Sequence, residues 1–103
     1  MRVFWSEKAK RSFEETAYYI VEDFGLRAKE KFAGMVSAKE HVLAAMPEIG
    51  QVERLLPHRN KTYRSVTVNG LSKIVYYIDN DTIYIVAFWH TRREPQSLTD
   101  EVK

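Results

Sequence analysis

The sequence predicts an α+β domain of order β-α-α-β-β-β, a helical hairpin packed on a mostly antiparallel sheet. Three observations carry this. Apolar residues recur every three to four positions as far as residue 46. Past residue 61 the period changes to two. Turn residues fall between the segments so defined, with Gly25 between two helical runs and Asn69-Gly70 and Asp79-Asn80-Asp81 between three extended ones.

The elements follow in chain order. Arg2 to Trp5 is short and rich in strand formers. Ser6 is placed to cap a helix over residues 7–24, with Glu7 favourable to its dipole. Ala9, Phe13, Ala17, Ile20 and Phe24 form one stripe of that helix, and Gly25 ends it. A second helix starts at about Leu26 and runs to residue 46. Its apolar face is Ala28, Phe32, Met35, Val36, Leu43 and Met46, and Pro47 and Gly50 close it. So short a link makes the two helices an antiparallel hairpin. Gln51 to Lys61 shows no periodicity and reads as a loop. "TYRSVTV" alternates, "NG" marks a hairpin turn, and "LSKIVYYI" returns. After "DND", "TIYIVAFWH" is a nearly continuous apolar run, as a central strand requires. Phe13, Phe32, Ile74 and Ile85 are expected in the core, and Tyr18, Tyr19, Tyr76, Tyr77 and Trp5 in the core and its rim.

The chain has 103 residues, enough for one domain, with a polar tail from about residue 94. Hydrophobic residues make up 45% and charged residues 29%, so a folded globular domain is expected rather than disorder. There is no cysteine, which excludes disulfides and thiolate metal sites. No apolar run reaches membrane-spanning length, and the start lacks a signal peptide's apolar stretch. These features lead to the expectation of a cytoplasmic protein that binds no membrane.

The formal net charge is only +2, but its distribution is uneven. Between Arg54 and Lys73 the chain carries Arg54, Arg59, Lys61, Arg64 and Lys73 with no Asp or Glu. Such a stretch suits a polyanion or an acidic protein partner. Arg59, Lys61 and Arg64, with Tyr63 available for stacking, are candidate nucleic-acid contacts; a solvated loop entering an edge strand has the same composition. A two-residue turn at Asn69-Gly70 sets Lys73 opposite Val66 and puts Lys73 and Arg64 on one sheet face, away from Tyr63 and Ile74.

The last strand runs into His90, Arg92 and Arg93. An imidazole can move a proton near neutral pH, and guanidinium forks match phosphate oxygens. Metal-free RNA cleavage needs both, a base for the 2′-hydroxyl and cations for the developing phosphorane charge. The same residues also suit a strand cap whose arginines pair with Glu94 or with helix acids. His41 reads as an ordinary helix histidine. The three histidines have no metal-ligand spacing, so no cofactor is expected.

"VFWSEKAKRSFEETAYYIVEDFG" resembles the opening strand and first helix of RelE/ParE-type toxins of bacterial type II toxin–antitoxin systems. "MPEIGQ" is similar to their helix-ending Pro-x-x-Gly turn, and "YRSVTVNGLSKIVYYIDNDTIYIVAFWHTRREP" to their C-terminal sheet with its closing Arg-Arg-x-Pro. The resemblance covers nearly the whole chain in order. It implies a cognate antitoxin and one of two activities. RelE-like members cut messenger RNA on translating ribosomes; here that implies Lys73, His90, Arg92 and Arg93 as catalytic residues with Arg64 assisting, and this activity is the first expectation. ParE-like members inhibit DNA gyrase instead, and a non-toxic binding module of the same fold is a third possibility.

Overall fold

Ser6 sets the first helix. In the computed structural model, which describes residues 1–53, 61–70 and 72–90 with His90 as backbone only, the Ser6 hydroxyl accepts a hydrogen bond from the Ala9 amide at 3.0 Å. Strand β1 (Arg2–Trp5) ends just before this cap, and helix α1 (Glu7–Phe24) follows. Gly25, at φ 94°, takes a left-handed conformation that a side chain would strain, and lets helix α2 (Leu26–Ala45) turn back at once. Three further strands match the expected ones: β3 (Arg64–Thr67), β4 (Ser72–Asp79) and β5 (Thr82–His90). The segment expected to be a loop contains a two-residue strand β2 (Gln51–Val52), too short for periodicity to reveal. The sheet order is β1-β5-β4-β3-β2, antiparallel except where β1 runs parallel to β5.

The main core lies between the helices and one sheet face. Ala9, Phe32, Val36 and Leu43 meet Ile74, Tyr76, Ile83, Ile85 and Phe88 there. Phe13 is only half-buried, but its ring packs against Trp5, Phe32 and Phe88 at centroid distances of 5.6–5.8 Å. Phe24, the last residue of the expected α1 stripe, is 75% exposed, because the helix ends before its side chain reaches the sheet. Tyr18, Tyr19, Met35 and Met46 are exposed as well, so the apolar content of the hairpin exceeds what the core uses.

A bulge explains the unbroken apolar run of β5. Val75 pairs with Ala87 but Tyr76 pairs with Ile85, which leaves Val86 as an extra residue. Alternation therefore changes phase in mid-strand. Ile83, Ile85 and Phe88 face the helices, while Ala87 and Trp89 join Val75 in a second buried cluster on the other face.

Candidate functional site

The β3–β4 hairpin decides where the expected site residues go. Its turn closes on Val68 and Ser72, whose backbones hydrogen-bond at 2.6 Å, so three residues rather than two make the connection. Asn69 and Gly70 both have positive φ, as their types allow. The extra residue moves the register by one, so Lys73 pairs with Thr67 and not with Val66. A slip of one residue exchanges the two faces of a strand. Arg64 and Lys73 therefore do not form a cationic row. Arg64 lies beside Tyr76 on the helix side, while Lys73 shares the opposite face with Val75 and Trp89.

Each cation has a partner on its own side. Lys73 Nζ is 2.6 Å from Glu53 Oε2, with side-chain exposures of 18% and 7%. Glu53 is the residue that sequence reasoning passed over, since it immediately precedes the acid-free stretch. Its amide donates to the Tyr63 carbonyl at 2.8 Å, which holds it alongside β3. Arg64 Nη1 donates to the carbonyls of Gly50, at 2.9 Å, and Glu48, at 3.5 Å. These belong to the turn that closes α2. Tyr76 completes that anchor: its buried hydroxyl donates to the Pro47 carbonyl at 2.7 Å and accepts from the Gly50 amide at 3.0 Å. Burial, the largest influence, raises the Tyr76 pKa above its ordinary value.

Lys61 is exposed and lies 4.3 Å over the Tyr77 ring. The Tyr77 hydroxyl, as its hydrogen-bond partner, holds the ammonium pKa above its ordinary value. A groove of about 360 Å³ opens here between Lys61, Arg64, Glu48 and Asp79, a balanced set of two cations and two acids. Tyr63 does not stack outward as a free platform; its ring meets Tyr77 edge-on at 5.8 Å. Arg59, Arg92, Arg93 and the His90 side chain lie outside the described residues. The backbone at His90 pairs with Ser72 at the end of the β4–β5 ladder.

The sheet register also assembles a feature that no local motif announced. Tyr77 pairs with Tyr84, and Tyr84 with Phe4. Continuing the β3–β4 register sets Tyr63 beside Tyr77. Four rings thus cross the sheet face opposite α1 and α2 in one lateral row, with centroid spacings of 5.8, 5.1 and 5.8 Å.

A helical hairpin on one face of a five-stranded sheet, with the aromatic row and the Val75–Ala87–Trp89 cluster on the other, defines a small two-layer α+β domain. The fold is similar to that of a chain from the chromosomal ParDE toxin–antitoxin system of P. aeruginosa, at TM-score 0.71 and 14% identity, covering 87% of this chain and 95% of that one. No curated protein sequence matches the chain. The family described as "ParE toxin of type II toxin-antitoxin system, parDE" matches residues 3–95, and the chain belongs to that family. Membership implies a cognate antitoxin as partner. Among the described residues, no helix is long and apolar enough to cross a membrane.

Proposed function

We propose that this chain arrests bacterial growth by binding a protein target, DNA gyrase being the target that the family resemblance suggests, and that a cognate antitoxin neutralises it. The observation that carries this reading is the closed Glu53–Lys73 pair. Metal-free RNA cleavage asks for accessible cations converging on one phosphate. Lys73 is instead neutralised by a nearly buried carboxylate, and Arg64 holds two carbonyls on the opposite side of the sheet. Both cations serve the fold, which favours a protein that holds its target over one that cuts RNA.

The test is to induce the chain alone in a bacterium and map RNA 5′ ends and gyrase-linked DNA breaks together. Growth arrest with DNA breaks and no new RNA ends is the expected result. New RNA ends within translated codons, with DNA intact, would replace this reading by ribosome-dependent cleavage through Lys73, His90, Arg92 and Arg93. Harmless expression would leave a binding module of the same fold.

A further inference from the structure

The Asn69-Gly70 turn carries a chemistry that the fold does not use. Its two ends are anchored. Val68 and Ser72 are each 1% exposed, and the Val68 amide donates to the Ser72 carbonyl at 2.6 Å. Val68 belongs to the main core, and Ser72 pairs with His90 on β5. Between these anchors Asn69 and Gly70 are exposed, both with positive φ, 44° and 78°. Among the described residues the Gly70 amide has no hydrogen-bond partner.

Asparagine is chemically labile where the next backbone nitrogen can reach its side-chain amide carbon. A side chain on that next residue crowds the approach, and glycine has none. The surroundings are open too, since a Cβ added at Gly70 would meet nothing within 4 Å. Asn80 supplies a comparison within the chain. It is exposed, has φ 55°, and lies in the turn that Asp79 and Thr82 close by pairing. The residue after it is Asp81, whose side chain obstructs the attacking nitrogen.

We propose that Asn69 is a self-modification site: its amide is converted to a carboxylate through a cyclic imide, and the isoaspartyl product undoes the closure of the β3–β4 hairpin. The Gly70 nitrogen attacks Asn69 Cγ. The N–Cγ bond forms, the Cγ–Nδ2 bond breaks, and ammonia leaves with the proton that Gly70 gives up. Water then opens the ring. Addition at Cγ gives aspartate at position 69. Addition at the main-chain carbonyl leaves the chain running through Cγ, with an extra methylene in the backbone. Water is the co-reactant of the whole sequence.

The place of the turn makes both products consequential. Aspartate puts an acid into the stretch from Arg54 to Lys73, which has none. The isoaspartyl form lengthens a connection whose ends are fixed by burial. The Val68–Ser72 bond is given up to accommodate it. The neighbouring rung pairs Thr67 with Lys73, and Lys73 Nζ is the atom 2.6 Å from Glu53 Oε2. β3 has four residues and its outer neighbour β2 has two, so this edge of the sheet has few other rungs to hold the register.

The test uses the full-length protein held at physiological temperature and sampled over days. Peptide mass spectrometry follows the amides, and an isoaspartyl methyltransferase marks the isoaspartyl form. Asn69 should convert while the Asn80 amide is still intact. In the isoaspartyl fraction the Val68 amide should lose its protection from hydrogen exchange, and the urea midpoint should fall. Asn69→Gly tolerates positive φ and has no amide to lose, so its midpoint should not drift. Asp81→Gly removes the obstruction at the other turn and should bring Asn80 to a conversion rate like that of Asn69. An Asn69 amide that lasts as long as that of Asn80 in the parent chain would overturn the proposal. So would an Asp81→Gly protein whose Asn80 converts no faster, a midpoint that drifts equally in Asn69→Gly, or an isoaspartyl fraction with Val68 as well protected as before.

Discussion

Replacing Gly50 by alanine should damage the fold far more than one methyl group suggests. Gly50 is buried where the α2 turn meets the sheet. A Cβ there would lie 2.6 Å from the Tyr76 hydroxyl oxygen and 2.9 Å from both the Tyr76 Cε1 and the Ser65 carbonyl. None of these can yield easily. The Tyr76 ring is fully buried, and Ser65 is part of β3, where it pairs with Val75. Overpacking of this kind costs about 1–3 kcal/mol. Moving the ring also breaks its hydrogen bonds to Pro47 and Gly50, at about 1 kcal/mol each. The expected loss is about 3 kcal/mol, and for a domain of roughly 100 residues that lowers Tm by about 15 °C. Urea unfolding followed by circular dichroism measures the first quantity and a thermal scan the second. Gly34→Ala is the control. Gly34 lies inside α2 with nothing within 4 Å of an added Cβ, so the change should stabilise by about 0.5–1 kcal/mol. A Gly50→Ala protein as stable as the parent would refute the claim that the Tyr76–Gly50 contact anchors the turn.

Other outcomes follow from the same contacts. Tyr76→Phe should unfold more easily in urea at neutral pH, by about 1–2 kcal/mol, because the Pro47 carbonyl and Gly50 amide lose their partner. Burial raises the Tyr76 pKa above 10.0, so the hydroxyl's contribution is complete below the ordinary tyrosine value and is lost as pH rises through the higher folded value. The stability difference between parent and Tyr76→Phe should therefore shrink in strongly alkaline buffer, as urea midpoints compared across pH would show. Arg64→Met should cost about 1–2 kcal/mol through the two freed carbonyls, while growth arrest per folded molecule stays at the parental level. Phe32→Ala should cost about 3–5 kcal/mol from the core. Phe24→Ala should stay within about 0.5 kcal/mol, because that side chain is exposed, and the two can be compared in one set of melts.

The helices were legible because their signals are local. Ser6, Gly25 and Pro47 punctuate them, and a 3.6-residue period places Phe32, Val36 and Leu43 without reference to the rest of the chain. The positions of every strand but the two-residue β2 were legible for the same reason, but strand partners were not. One residue in the Asn69-Gly70 turn decides whether Lys73 joins Arg64 or Trp89, and "NG" alone fits either connection. The Val86 bulge hides in an apolar run that reads alike on both faces. Glu53 was invisible as the counter-ion of Lys73 because 20 residues separate them. Phe4, Tyr77 and Tyr84 come from three strands, so only the completed sheet makes them neighbours. A search for acids flanking a basic stretch would have raised Glu53 as a candidate; no comparable local signal marks the aromatic row.

The central claim is that Lys73 belongs to the fold and not to a reaction. The double variant Glu53→Leu/Lys73→Met tests it most directly. Replacing a buried ion pair by apolar residues of similar size is often neutral or stabilising, whereas removing the lysine alone would take the ammonium away from a nearly buried carboxylate, at a cost of about 3 kcal/mol. The variant should first be shown to fold by circular dichroism and urea unfolding, then be induced alone in a bacterium beside the parent chain. The structural account predicts growth arrest at the parental level. A folded double variant that leaves growth unaffected would contradict it and return Lys73 to the centre of the mechanism.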